Sequence, residues 1–200
     1  MRAYNKIKFK LRNYFLKPVA IPSYEAKREV INSYRVKYSI NQFVETGTFL
    51  GDTIEYFKNS FTKLISIELA ADLAERARKR FEKDEQVTIL SGDSGKILKE
   101  MVKSFSEPIL FWLDGHYSSE FFLGEEYIKT ARIDIDTPIK EELLAILASE
   151  FDHFILIDDA RLFNGLGDYP TIYQIKKIVR LSGKKCKVTV KDDMIRIIPI

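Results

Sequence analysis

The chain has one cysteine and two histidines in 200 residues, and both scarcities narrow its chemistry. Cys186 has no partner for an internal disulfide, so the fold rests on its apolar core, which a chain of this length can build. Cys186 stands beside Lys184, Lys185 and Lys187 at the start of a predicted strand, a setting that suits packing better than catalysis. A reducing, cytoplasmic location is the matching expectation. Apolar runs of membrane-span length are also missing, and the first 20 residues interleave Lys6, Lys8, Lys10 and Arg12 with apolar positions instead of forming a signal-peptide core. No membrane span and no export are expected. Charge of one sign is not in excess either: 32 basic against 29 acidic residues leave a net +3. With no aromatic-basic tract for stacking bases, that balance argues against a nucleic-acid partner. Internal repeats and low-complexity tracts are absent, and one compact domain is the default.

What is present changes character near Asn41. Before it, residues 1–40 read as a helical extension. Ile7, Leu11, Tyr14 and Phe15 recur at helical spacing until Pro18 and Pro22 interrupt them, and residues 25–39 carry Ala26, Val30, Ile31 and Tyr34 on a second helical stripe. Packing on the chain's own domain, a homodimer contact and a peripheral membrane touch all remain open for the first segment. From residue 41 to residue 200, short β-branched or aromatic runs alternate with helical stretches, the pattern of a parallel sheet covered on both faces. Strands are predicted over 42–46, 64–69, 87–91, 109–114 and 154–158, and helices over 52–60, 71–83, 94–104, 138–149 and 171–181. Thr137 is placed to cap the helix that Pro138 begins. Residues 185–190 and 194–198 flank Lys191, Asp192 and Asp193 as a closing hairpin. Residues 117–136 form the one long irregular stretch, which is read equally as a functional loop or a plain surface loop.

The first predicted strand runs into Glu45-Thr46-Gly47-Thr48-Phe49-Leu50-Gly51. Glycines four apart at a strand-to-helix turn permit a tight bend and close approach of a ligand to the backbone, although Gly51 is read equally well as a helix-packing residue. The dinucleotide fingerprint is not met, because Thr48 and Phe49 stand where further glycine is needed, which weakens an NAD reading. The second strand ends at Glu68, positioned to accept hydrogen bonds from ribose hydroxyls. The third ends before Asp93, which can cap the next helix, meet an adenine amino group, or do both.

In that order, Glu45, Gly47, Gly51 and Glu68 resemble the class I S-adenosylmethionine-dependent methyltransferases, whose first motif is acidic-x-Gly-x-x-x-Gly and whose second is an acidic residue ending strand two. The resemblance covers residues 41–200. It implies an α/β, Rossmann-like three-layer sandwich with a mostly parallel seven-stranded sheet and a C-terminal antiparallel hairpin. S-adenosylmethionine would be held by Glu45, Gly47, Gly51, Glu68, Asp93 and Asp114.

Polar residues just beyond strands four and five belong at the ligand end of such a sheet. They are Asp114-Gly115-His116 and Asp158-Asp159-Ala160-Arg161. Three converging carboxylates repel one another unless something neutralises them, and a hard cation with oxygen ligands does so. Asp114, Asp158 and Asp159 are therefore candidate ligands for magnesium or another divalent ion; the plainer alternative is that one or two of them cap helices or bind Arg161. His116 titrates in the range that suits proton abstraction. His153, which lacks polar company in the sequence, is read as structural. Asp-Gly-His followed by Asp-Asp is similar to the metal-dependent O-methyltransferases of small molecules, most of all the macrocin O-methyltransferase type that acts on sugars. That similarity implies Asp114, Asp158 and Asp159 as metal ligands and the residue two after Asp114, here His116, as the base. The sugar enzymes carry Asp at the base position, so His116 is a departure. The expected reaction is methyl transfer to a small-molecule hydroxyl. Two other readings compete: a ferrous hydroxylase using His116 with two of the carboxylates, and a cofactor- or partner-binding module without catalysis.

Overall fold

A computed structural model of the chain describes residues 21–115, 120–123, 126–129 and 137–200. Helix α1 (Tyr24–Tyr38) begins at Ser23, whose hydroxyl accepts from Ala26 N, and ends at Ser39 in the left-handed conformation. It lays Ile31 against Phe43, Phe57 and Leu64, with Val30, Tyr34 and Tyr38 around them. Then follow β1 (Gln42–Thr46), α2 (Asp52–Phe57), β2 (Lys63–Glu68), α3 (Ala71–Arg80), β3 (Val87–Ser91), α4 (Ser94–Met101) and β4 (Leu110–Leu113). The second half comprises β5 (Glu120–Leu123), β6 (Glu126–Lys129), α5 (Ile139–Leu147), β7 (Phe154–Ile157), α6 (Ile172–Leu181), β8 (Cys186–Lys191) and β9 (Met194–Pro199).

Seven strands form one sheet in the order β3-β2-β1-β4-β7-β9-β8. The pairs among β3, β2, β1, β4 and β7 are parallel, while β9 pairs antiparallel to both β7 and β8. This is the Rossmann-like architecture expected from the sequence, closed by the expected hairpin. Strands β4 and β7 are apolar at every position because both faces are covered, and alternation along the central strands splits their apolar residues into two cores. Phe43, Leu110, Trp112, Phe154 and Leu156 face α1, α2 and α3, whereas Val44, Phe111, Leu113, Ile155 and Ile157 face α4, α5 and α6.

Differences from the predicted elements are local. Residues 102–104 of the third βα helix tighten into a 3-10 turn. Pro138 is the N-cap of α5, not its first helical residue, and Thr137 Oγ1 accepts from Ile139 N at 3.4 Å. The stretch read as irregular holds an antiparallel β5–β6 ladder, with Glu120 opposite Lys129 and Leu123 opposite Glu126. The helix expected among residues 1–20 lies outside the described residues. Among the described residues no helix is long and apolar enough to cross a membrane.

Candidate active site

Strand order decides which sequence positions become neighbours. β1 and β4 lie side by side, but the chain leaves β1 toward β2 and leaves β4 toward β7, so a crevice opens where the connections diverge. Along that edge, following β3, β2, β1, β4, β7 and β9 in space, stand Asp93, Glu68, Gly47, Asp114, Asp158 and Asp193. Five come from strand ends and Asp193 from the hairpin turn.

At the crevice the two backbones nearly touch. Gly47 has φ +86°, its N–H donates to Ile67 O at 2.9 Å, and a Cβ there would lie 2.6 Å from the Asp114 carbonyl oxygen. Only glycine satisfies both the left-handed backbone and the close approach. Gly51 (φ +82°) caps α2, and a Cβ there would meet the Phe81 ring at 2.7 Å. Its packing role is thus plain in the geometry.

Glu45 stands on β1 opposite Ser66 of β2. It is buried, accepts from Ser66 Oγ at 2.6 Å, and Ser66 Oγ lies 2.5 Å from Thr48 Oγ1. This chain of bonds ties the glycine loop to β2. Burial pushes the Glu45 carboxyl up to about 8; the Ser66 bond opposes the rise, and Asp114 and Glu68 add to it. Glu68 ends β2 with Oε2 accepting from Phe49 N and Oε1 from Ala70 N, both at 2.9 Å. Each carboxylate oxygen can accept a second bond, so capacity for hydroxyl donors remains. Asp93 caps α4, accepting from Lys96 N at 3.3 Å.

The other half of the edge is more heavily charged. Asp158 is buried; its Oδ2 lies 2.5 Å from Lys27 Nζ and its Oδ1 accepts from Asp159 N at 2.8 Å. Burial and the Asp114 charge push the Asp158 carboxyl up, while Lys27 pulls it down. Burial alone would lower the Lys27 ammonium, yet Asp158, Asp159 and Asp114 together hold it above the ordinary lysine range. Asp159, at φ 54°, accepts from Arg161 at 2.7 Å and stands 3.7 Å from Lys27 Nζ. Arg161 also pairs with the buried Asp193, whose carboxylate accepts from Arg161 N at 2.8 Å. The closing hairpin therefore braces the loop after β7. His116 lies outside the described residues.

No family model matches the sequence, and no curated protein does. Solved structures match in fold. An O-methyltransferase from Streptomyces achromogenes involved in tomaymycin synthesis, in complex with SAM, is similar over 94% of this chain and 86% of its own, at 15% identity and TM-score 0.58. The chain shares the fold of this methyltransferase. A SAH-bound Podospora anserina methyltransferase is similar over 96% of this chain and 85% of its own, with 12% identity and TM-score 0.57. The 23S rRNA methyltransferase ErmE is similar over 90% and 69%, with 11% identity and TM-score 0.53. Acceptors as different as these show that the methyltransferase fold by itself does not choose one.

The residues of the cofactor half fit S-adenosylmethionine: a glycine turn at the crevice, Glu68 with spare acceptor capacity, and a buried Thr46 Oγ1 with no well-formed hydrogen bond among the described residues. Asp158 and Asp159 do not fit a magnesium ion in the same way. The Lys27 ammonium, 2.5 Å from Asp158 and 3.7 Å from Asp159, takes the place of a cation between them, and Arg161 holds Asp159. Among the described residues no group of three or more His, Cys, Asp or Glu is arranged to hold a metal ion. The plainer sequence alternative, that one of these carboxylates binds Arg161, describes Asp159.

Several site residues escaped the sequence reading. Lys27 lies four residues before the buried Ile31 on one stripe of α1, and a lysine on an apolar stripe is the signal that marks a buried partner. Asp193 looked like an ordinary turn residue. Glu142, on α5, is buried, bonds Ser94 Oγ at 2.5 Å and reaches toward Gly115. Burial pushes its carboxyl up to about 7; the Ser94 bond, with Thr46 nearby, opposes the rise. His153 does have polar company: its Nδ1 accepts from Ile109 N at 3.1 Å and its Nε2 lies 2.8 Å from Ser149 Oγ. It joins β4 to the end of α5 and serves structure.

Proposed function

We propose that this chain is an S-adenosylmethionine-dependent O-methyltransferase acting on the hydroxyl of a small molecule. The observation that carries the reading is the order Asp93, Glu68, Gly47, Asp114, Asp158 across a divided parallel sheet, which separates a cofactor half from an acceptor half. The near-balanced net charge of +3 favours a small acceptor over a polyanion.

Gly47 and Glu68 would hold the cofactor, with Asp93 toward the adenine and Glu45 fixing the loop from behind. S-adenosylmethionine, when bound, supplies an electrophilic methyl group. The protein's tasks are then to align the acceptor oxygen and to remove its proton, and alignment alone accounts for much of the rate in such reactions. His116, two residues beyond Asp114, is the proposed base. Asp114, at the β4 end beside Gly47, lies at the boundary between the two halves. Sugar, phenol and polyketide hydroxyls are the acceptor classes to test, in keeping with the resemblance to macrocin-type enzymes. A cytoplasmic setting and a homodimer belong to the same proposal.

The experiment is calorimetry with S-adenosylhomocysteine, followed by transfer of labelled methyl from S-adenosylmethionine across a panel of hydroxyl compounds, with RNA as a comparison. Binding of the cofactor product and labelling of a small hydroxyl are expected. His116→Ala should lower kcat by about 100-fold or more, the size of a lost general base, with unchanged cofactor affinity. Failure to bind the cofactor, or labelling of RNA alone, sinks the proposal.

A further inference from the structure

We infer that Lys27 is the resident cation of the acceptor half, standing where the sequence assigns a divalent metal, and that methyl transfer by this chain needs no metal ion. The second clause rests on the methyltransferase reading; the first does not.

Three observations lead there. Lys27 Nζ lies 2.5 Å from Asp158 Oδ2 and 3.7 Å from Asp159 Oδ1, bridging two of the three carboxylates that sequence marks as ligands. Its side chain is 11% exposed, so the charge is held inside the protein and not on a surface tether. The helix that carries it is anchored by Ile31 at 1% exposure and by its Ser23 cap. The backbone that carries the lysine is thereby fixed at this edge of the sheet.

The electrostatics agree with the geometry. Clustered carboxylates need a counter-charge, and either a bound ion or a covalently attached ammonium meets that need. Here Lys27 and Arg161 supply two positive charges to Asp158, Asp159 and Asp193. A dication entering the same space would have to displace Lys27 and sit beside its charge, an unfavourable contact in a poorly hydrated site. An ammonium also has three N–H donors, of which the Asp158 bond uses one. Lys27 is thus a positioning residue: it fixes the carboxylates and offsets part of their negative charge without a metal's open coordination positions.

The test begins with the unaltered protein and Mn2+ as the probe, read by electron paramagnetic resonance and calorimetry. Wild type is expected to bind no stoichiometric Mn2+. Lys27→Met keeps the length of the stem and removes the charge, and should tighten Mn2+ binding by at least about tenfold, a lower bound for removing one adjacent charge. Asp158→Asn added to that variant should abolish the gain. Turnover of wild type should survive chelator treatment within about twofold, and Lys27→Arg should retain more of it than Lys27→Met, because the charge is kept. One tight Mn2+ in wild type that is lost in Asp158→Asn overturns the inference, as does turnover that stops with chelator and returns with metal. The wild-type measurement stands even where a variant fails to fold. Absence of S-adenosylhomocysteine binding would instead count against the methyltransferase reading and leave the Mn2+ result to decide the role of Lys27.

Discussion

Replacing Gly47 by alanine perturbs the crevice at its narrowest point, and its cost has two separable parts. The residue sits at φ +86°, where an L side chain costs about 1–2 kcal/mol. The added Cβ would also approach the Asp114 carbonyl oxygen to 2.6 Å, and a backbone carbonyl that follows a buried strand cannot step aside. Overpacking of that kind costs about 1–3 kcal/mol. The sum is about 2–5 kcal/mol, a large share of the stability of an ordinary domain. Gly183 provides the internal control: its φ is +78° and nothing lies within 4 Å of a Cβ there. Gly183→Ala should therefore cost only the conformational part, about 1–2 kcal/mol. Urea unfolding of both variants, compared at unchanged m, reads the difference as the contact term. Relief of the contact by parting β1 from β4 would also weaken binding of S-adenosylhomocysteine in Gly47→Ala and leave Gly183→Ala untouched. Equal losses of stability in the two variants, with equal cofactor affinity, would contradict a close contact at Gly47.

Three further outcomes are expected. The Glu45 carboxyl is raised to about 8 by burial, so its contribution to stability is full below about pH 4.5 and is lost as pH rises through about 8; Glu45→Gln should remove that loss in unfolding curves taken from pH 5 to 9. His153 is lowered to about 4, chiefly by burial with Lys184 adding to it, so its neutral form favours the fold fully above about pH 6.5, and the benefit fades as pH falls toward 4; His153→Gln should flatten the acid limb of the stability profile, and an unchanged limb would contradict the buried neutral imidazole. Glu68→Gln exchanges a charged acceptor for a neutral one between Phe49 N and Ala70 N, and calorimetry should show S-adenosylhomocysteine binding weakened by about tenfold or more, the scale of a charge-assisted hydrogen bond; undiminished affinity would move the ribose contact elsewhere.

Much of the fold was legible because local signals agree with one another. Apolar runs at 42–46 and 87–91 match β1 and β3 residue for residue, since each is bounded by turn-forming or polar neighbours. The β5–β6 ladder was not legible: Glu120, Glu125, Glu126 and Lys129 break up the apolar pattern, and a two-stranded ribbon leaves little periodicity to find. In the site, Gly47 and Glu68 could be read because their roles follow from position at a strand end. Lys27 could not be assigned, because its partners lie 131 and 132 residues away in sequence, numbers that follow from positions 27, 158 and 159.

By itself the sequence determined the class of fold, the closing hairpin and the acidic and glycine positions at the strand ends, because hydrophobic period and turn chemistry act over a few residues. Only the tertiary structure decided which of those positions stand together, what neutralises them and which are buried. Burial and Coulomb energy depend on distances in space, and the strand order that sets those distances brings α1 and the β8–β9 turn to the same edge. Asp158 and Asp159, which read as metal ligands along the chain, are in three dimensions held by Lys27 and Arg161.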